Sequence, residues 1–329
     1  MSGPAVDPLG QVGAFIGAAI AVGYLAEAAD LGHLPEARVP GGQDLHITAQ
    51  VYEGLAMTDL YRAAHDRGLS SPYNPPNYRL ADLGVGTLTM LGGPEEAVDL
   101  ALVERLVAEA ASFSDALARA AMTRVSYPLL MAVGAYAGER FGLQGIPSRW
   151  TSVLTTPRGR GGIDAIIDDA RRFAGLEVVP RTRPDPASAP KRVDPNLPIY
   201  AADLLGAASC SQDYRVLSLC RTDNRFADHA DHRQVYLVDQ EGEDANPHLA
   251  FALDDAVASI EAWTQGTPVR PIVVHCHAGS SRTGFVLKAW AMQRYGYTEE
   301  QAHSRIARVW PRISRWNKTF YEELLSREA

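Results

Sequence analysis

Residues 178–198, VVPRTRPDPASAPKRVDPNLP, hold six prolines and almost no apolar periodicity. Proline has no backbone N–H and a fixed φ, so a run this dense joins neither a helix interior nor a central strand. The segment reads as a linker. It splits the 329-residue chain into residues 1–177 and 199–329, and two domains are also what the length predicts.

Before the linker the pattern is helical. GAFIGAAIAVGYLAEAA, ITAQVYEGLAMTDLYRAAHDRG, PEEAVDLALVERLVAEAASFSDALARAA and GIDAIIDDARRFAGL place apolar residues three and four apart, on one face of a helix. Their frequent Ala and Gly predict closely packed helices, hence an all-α N-terminal domain. After the linker the pattern turns mixed. YRVLSLC, RQVYLVD and PIVVHC read as short strands, and PHLAFALDDAVASIEAWTQG, SRTGFVLKAWAMQRYG, TEEQAHSRIARVW and NKTFYEELLSRE as helices. Strands alternating with helices predict an α/β domain with a mostly parallel sheet flanked by helices.

Composition narrows the function classes. A net charge of −8 argues against nucleic acid as a partner. Three cysteines without tandem spacing build no disulfide framework and fit a reducing cytoplasm. The apolar run Val12–Leu25 is too short for an ordinary membrane span, and MSGPAVDPLG lacks the basic start of a secretory signal. A cytoplasmic protein without a membrane partner is expected.

The chemistry concentrates in VVHCHAGSSRTGFVL, residues 273–287. A strand, PIVV, and a helix, GFVLKAWAMQ, flank a glycine-containing loop that begins at Cys276. Such a junction turns successive backbone N–H groups inward and adds the positive end of the helix dipole. That arrangement holds an anion and favours a thiolate over a thiol. Arg282, six residues on, is placed for the loop to aim a guanidinium at the same anion. Thiolate and arginine facing one phosphate point to phosphomonoester cleavage through a phosphocysteine. As metal ligands, His275 and His277 fail, because no further His or Cys pair has ligand spacing to complete a site. No metal and no cofactor are expected. His229 to His232, HADH, read as a solvated loop, and Cys210 as core.

This stretch resembles the cysteine-dependent protein tyrosine phosphatase superfamily, whose signature of His-Cys, five residues, Arg and Ser or Thr is matched by His275, Cys276, HAGSS, Arg282 and Thr283. YAADLLGAA, RVLSLC and WPRISRWNKTFYEELL extend the resemblance, to its dual-specificity branch, over about 197–329; Trp316 stands where many members carry proline. The resemblance implies Cys276 as nucleophile and Arg282 as the phosphoryl-binding residue. It implies that Thr283 hydrogen-bonds the sulfur and that His275 helps hold the thiol ionised. The backbone amides of His277, Ala278, Gly279, Ser280, Ser281 and Arg282 would cradle phosphate. It further implies a general acid, an aspartate from the loop after RQVYLV. Asp239 directly ends that strand, whereas Asp244 matches the family's usual separation from the cysteine; strand register favours Asp239. Asn317 is a candidate brace of the phosphate loop or a helix cap. Cys220 is a candidate redox partner of Cys276 or inert packing. A phosphorylated protein is the expected substrate. A nucleotide- or ADP-ribose-related phosphate, or phospho-binding without turnover, is the alternative.

The N-terminal half resembles a shortened ADP-ribosylglycohydrolase in GAFIGAAIAVGYLAEAA, LGVGTLTML and MAVGAYAGERFGLQGIPSRW. That family holds two metal ions with carboxylates. Here the first motif reads Thr48-Ala49-Gln50-Val51, the second falls in TRVSYPLL, and no acidic residue occurs between Asp115 and Glu139. Oxygen-ligated metal needs carboxylates, so the expectation is a domain without hydrolase activity that docks a ligand or partner, or stabilises its neighbour.

Overall fold

The computed structural model describes residues 99–122, 127–152, 188–222, 225–226, 231–265 and 268–328, together with Gly13, Ile16, Gly17, Ala21, Asp164, Ile167 and His229. The chain divides into two compact units, Met1–Pro180 and Arg181–Ala329.

In the first unit the described residues from 99 to 152 build α1 (Leu100–Ala108), α2 (Phe113–Met122), α3 (Tyr127–Phe141), a 3-10 turn at Leu143–Gly145 and the short α4 (Ser148–Thr151). The stretch read from the sequence as one helix up to Ala121 is two. Ser112 Oγ accepts the Asp115 N–H at 3.1 Å, and the Asp115 carboxylate reaches back to the Ala111 N–H at 2.9 Å. A new N-terminus is therefore capped in mid-run. The Arg140 guanidinium on α3 donates to the carbonyls of Val107, Ala108 and Ala110, which closes the end of α1. Gly13 and Gly17 are helical and lie against the backbone of Gly138 and Gly134, where any side chain would collide. This is the close helix packing that the Gly and Ala content predicts. Thr48, Ala49, Gln50 and Val51 lie outside the described residues, as does the start of the second motif, and the ADP-ribosylglycohydrolase resemblance gains no support from the fold.

The second unit is a five-stranded mixed sheet flanked by helices. Its order is β1-β2-β5-β3-β4, with β1 (Lys191–Arg192), β2 (Ile199–Ala202), β3 (Arg215–Ser218), β4 (His232–Gln234) and β5 (Ile272–His275). All pairings are parallel except β1 with β2. Residues 188–198, read as linker, belong to this unit. Asp194 accepts the N–H groups of Asn196 and Leu197 at 2.9 and 2.7 Å, and Arg192 donates to the carbonyls of Asp194, Pro195 and Leu197. A tight turn stabilised by side chains thus lets Lys191–Arg192 pair back on β2, which proline counting does not reveal.

Helices α5 (Leu204–Ala208), α6 (Leu249–Thr264), α7 (Ser281–Tyr295), α8 (Glu299–Val309) and α9 (Lys318–Leu325) complete the unit. Strand alternation sends Ile272 and Val274 into the larger core with Leu253, Val257, Phe285 and Val286. Val273 faces the other way, with Val216, Leu204 and Phe226.

Across the larger core, Lys288 of α7 donates to Glu299 of α8 at 2.6 Å, and Arg315 holds the same carboxylate at 3.0 and 2.5 Å. Lys288 and Glu299 are buried. Burial by itself would raise the Glu299 carboxyl, but hydrogen bonds from Arg315 and Lys288 outweigh it and hold it below its ordinary value. Glu299→Gln leaves a buried lysine short of its counter-charge and is expected to cost about 3–5 kcal/mol in chemical denaturation. Because the native carboxyl is depressed, its contribution is complete above the ordinary carboxylate range and disappears as pH falls through the native value. The wild type therefore loses more stability on acidification than the variant. Equal acid limbs in the two proteins would contradict this.

Candidate active site

Parallel pairing brings the carboxyl ends of β2, β5, β3 and β4 to one edge, where Ala202 pairs His275, His275 pairs Ser218 and Ser218 pairs Gln234. Ligands of parallel α/β sheets sit beyond that edge. The loop from β5 to α7 starts there with Cys276.

The loop is shaped by a few fixed points. Gly279 has φ +68°, and a Cβ on it would sit 2.6 Å from the Ala202 carbonyl oxygen, so only glycine fits the turn. Trp310 Nε1–H donates to the Gly279 carbonyl at 2.6 Å, and the Leu204 N–H to the His277 carbonyl at 3.2 Å. Ser280 and Ser314 join through their hydroxyls at 3.0 Å. With the carbonyls drawn outward, the amides of Ala278, Gly279, Ser280, Ser281 and Arg282 donate to no acceptor among the described residues. Five successive open N–H groups lead into a 15-residue helix, the arrangement that binds a phosphate-sized anion.

Cys276 is buried at the base of this loop and its thiol is free. Arg282 Nη1 donates to the carbonyls of Leu219 and Leu237 at 3.3 and 3.2 Å, fixing the guanidinium from behind. Its Nε lies 3.5 Å from Asp239 Oδ2, an ion pair without hydrogen-bond alignment. His275 is wholly buried; its Nε2 meets Ser218 Oγ at 2.7 Å and its Nδ1 the Cys276 carbonyl at 3.3 Å. Burial, assisted by the charges of His232 and Arg282 and opposed by the hydrogen bond to Cys276, pushes the imidazole down to about 3. His275 is thus neutral near pH 7, and the contact it makes with Cys276 is a hydrogen bond to the backbone carbonyl, not a positive charge. Thr283 Oγ1 is buried without a hydrogen-bond partner, so its expected bond to the sulfur is not formed in this structure.

The aspartate loop differs from the sequence reading in one respect. β4 ends at Gln234, not at Asp239. Just beyond it, the Val235 N–H still reaches the Ser218 carbonyl, at 2.9 Å. The Leu219 N–H continues the β3–β5 ladder to the His275 carbonyl at 2.9 Å, while β3 and β4 end at Ser218 and Gln234. Asp239 is instead placed by side chains. Asn246 clamps the neighbouring Val238 backbone twice, accepting its N–H and donating to its carbonyl, each at 2.9 Å. Asn317 caps α9 through Phe320 N–H at 3.1 Å and donates to the Gln240 carbonyl at 3.2 Å. It ties down the aspartate loop, not the phosphate loop. Gly242 N–H adds a bond to Thr319 Oγ1 at 2.9 Å. Asp244 lies exposed on the 3-10 turn Glu243–Ala245.

Cys220 is buried in the same core as Cys276. Cys210 is half-buried; burial and the nearby Asp213 push its thiol up to about 11, so it stays protonated and unreactive. Sequence reading missed Ser218, Asn246, Trp310 and His232. Asn246 precedes a helix and reads as a cap, and nothing in the spacing says that its partner lies eight residues upstream. His232, assigned to a solvated loop, begins β4 and bonds Ser218 at 2.9 Å. Exposed Trp316 stands between Ser314 and Asn317, the residues that touch the two loops.

Among the described residues no helix is long and apolar enough to cross a membrane. No family model matches the chain, and no curated protein matches it. Among solved structures it is similar to human DUSP28 at 20% identity, covering 45% of this chain and 97% of that one with a TM-score of 0.38. It is also similar to the Yvh1 phosphatase domain from Chaetomium thermophilum, at 18% identity over 42% and 94% of the two chains, TM-score 0.35. A leucine rich repeat and phosphatase domain containing protein from Entamoeba histolytica matches at 16% identity over 43% and 90%, TM-score 0.34.

Proposed function

We propose that the unit Arg181–Ala329 is a cysteine-dependent phosphatase that hydrolyses phosphomonoesters through a phosphocysteine. The observation that carries this reading is the cradle itself. Five open amides and the Arg282 guanidinium border one loop whose first residue is a buried free cysteine. In the first step the Cys276 thiolate attacks phosphorus, the P–O ester bond breaks, and Asp239 gives its proton to the leaving oxygen. In the second, the Asp239 carboxylate takes a proton from water, the water oxygen attacks phosphorus, and the S–P bond breaks to release inorganic phosphate. Arg282 and the amides bind the equatorial oxygens throughout, where charge accumulates. Thr283 lies close in sequence to offer the departing sulfur a hydrogen bond.

The substrate class we assign is phosphoprotein, phosphotyrosine and phosphoserine or phosphothreonine included, because HAGSS carries no lysine for a polyanionic head group. For the N-terminal unit we infer a role without hydrolysis, since Ala49 and Gln50 stand where carboxylates are needed. Purified full-length protein is expected to cleave phosphopeptides in the presence of EDTA and to be blocked by vanadate, a mimic of the five-coordinate phosphorus. Loss of activity to EDTA, restored by a divalent ion, would sink the mechanism.

A further inference from the structure

His232 stands outside the loop just described, yet a chain of hydrogen bonds joins it to Cys276. His232 Nε2 lies 2.9 Å from Ser218 Oγ, Ser218 Oγ 2.7 Å from His275 Nε2, and His275 Nδ1 3.3 Å from the Cys276 carbonyl oxygen. The direction of every bond follows from the last one. A carbonyl only accepts, so Nδ1 of His275 carries the proton. Being neutral, His275 then has an unprotonated Nε2, which must accept the Ser218 hydroxyl proton. Ser218 has spent its one proton, so its oxygen accepts from Nε2–H of His232. That donor is present in both the neutral Nε2–H tautomer and the imidazolium, so the chain does not depend on the charge of His232.

Strand register supplies the alignment. Val216 pairs His232 and Ser218 pairs His275, and residues two apart on a strand share a face, so all three side chains lie on one side of the sheet. Phe226, fully buried, covers them, with ring centroids 5.2 Å from His232 and 5.0 Å from His275. Ser218 and His275 have no exposed surface, so water does not substitute for a missing donor.

We propose that His232 is a positioning residue for the nucleophile loop, acting through Ser218 and His275 on the Cys276–His277 peptide. A trans peptide sets its C=O and N–H in opposite directions. Holding the Cys276 carbonyl toward His275 therefore fixes the His277 N–H on the opposite side, and with it the plane of the peptide that opens the loop. The bonds of the chain run in one direction, so their dipoles add with the positive end toward Cys276, and that field lowers the cost of negative charge on its sulfur. Among the described residues, the other charged or titratable groups packed around the chain and the loop include Arg282 of α7, Asp239 from the loop after β4, His277 within the loop, His229 against Phe226, Cys220 in the shared core and the Asp203–Arg312 pair beside α5. None of them is altered by the substitutions below.

This inference rests on Cys276 as an activated nucleophile, and the test separates the two. In the full chain, iodoacetate alkylation of Cys276 is followed by mass spectrometry across a pH series for wild type, His232→Phe and His232→Gln. Phenylalanine keeps a ring against Phe226 but donates nothing, whereas the glutamine amide can place an N–H near the Nε2 position. His232→Phe is expected to move the alkylation profile to higher pH and slow acid-side alkylation by on the order of threefold to tenfold, the worth of one hydrogen bond. His232→Gln is expected to stay near wild type, and Ser218→Ala to behave like His232→Phe. An unmoved profile in His232→Phe, or an equal shift in His232→Gln, overturns the relay while leaving the cysteine reading intact. A wild-type profile no different from that of an ordinary free thiol overturns the cysteine reading and the relay with it.

Discussion

Cys276→Ser is expected to abolish phosphomonoester turnover, by on the order of 10⁴-fold or more, while phosphate affinity remains. A serine hydroxyl is almost fully protonated at neutral pH and is a far weaker nucleophile, so it does not replace a thiolate. The five open amides and Arg282 are untouched by the exchange, so the anion still finds its cradle. Arg282→Ala should fail differently. It removes the charge that balances the three equatorial oxygens, with a loss on the order of 10²–10³-fold in kcat, and phosphate binding weakens as well. Lysine at 282 does not restore the wild type, because a point charge cannot keep bonds to the Leu219 and Leu237 carbonyls while presenting two parallel donors to phosphate. Steady-state kinetics and vanadate or phosphopeptide binding on the same preparations separate the two effects. Turnover that persists in Cys276→Ser shows that another residue is the nucleophile.

The loop was legible because its parts are adjacent in sequence. A strand, a cysteine, a glycine at a left-handed turn, an arginine and a helix follow each other within sixteen residues, 272–287, and local spacing carries local geometry. What braces the loop was not legible. Trp310 reaches Gly279 from thirty-one positions away, and Ser218 reaches His275 across fifty-seven; neither separation leaves a periodicity to read. Strand length misled for a related reason. RQVYLVD alternates as a strand should, but its neighbour among the described residues, β3, ends at Ser218 and β4 itself at Gln234, and alternation alone does not tell where pairing stops. The short β2, Ile199–Ala202, has the opposite history: two alanines give it little β propensity, and pairing with β5 makes it a strand.

Asp239→Asn is expected to cut turnover of phosphopeptides by about 10²–10⁴-fold and to spare activated aryl phosphates, whose leaving oxygens need no proton. The strand-register argument for Asp239 lost its basis when β4 proved to end five residues earlier. The aspartate nevertheless faces Arg282 Nε at 3.5 Å, whereas Asp244 sits on an exposed turn. Placement comes from Asn246, whose amide closes on both polar groups of the Val238 backbone, and from Asn317 on the Gln240 carbonyl. Asn246→Ala releases the first clamp and should reproduce part of the Asp239→Asn phenotype, with the larger loss on the poorer leaving group. Asp239→Asn should also flatten the basic limb of the pH–rate profile, since that limb reports loss of the acid's proton. Asp244→Asn should leave both the leaving-group dependence and the limb close to wild type. All three variants are compared on one alkyl phosphate, one tyrosine phosphate and one nitrophenyl phosphate. A leaving-group-dependent loss at Asp244 and not at Asp239 would transfer the acid to the 3-10 turn, and would mean that this turn swings inward when substrate binds.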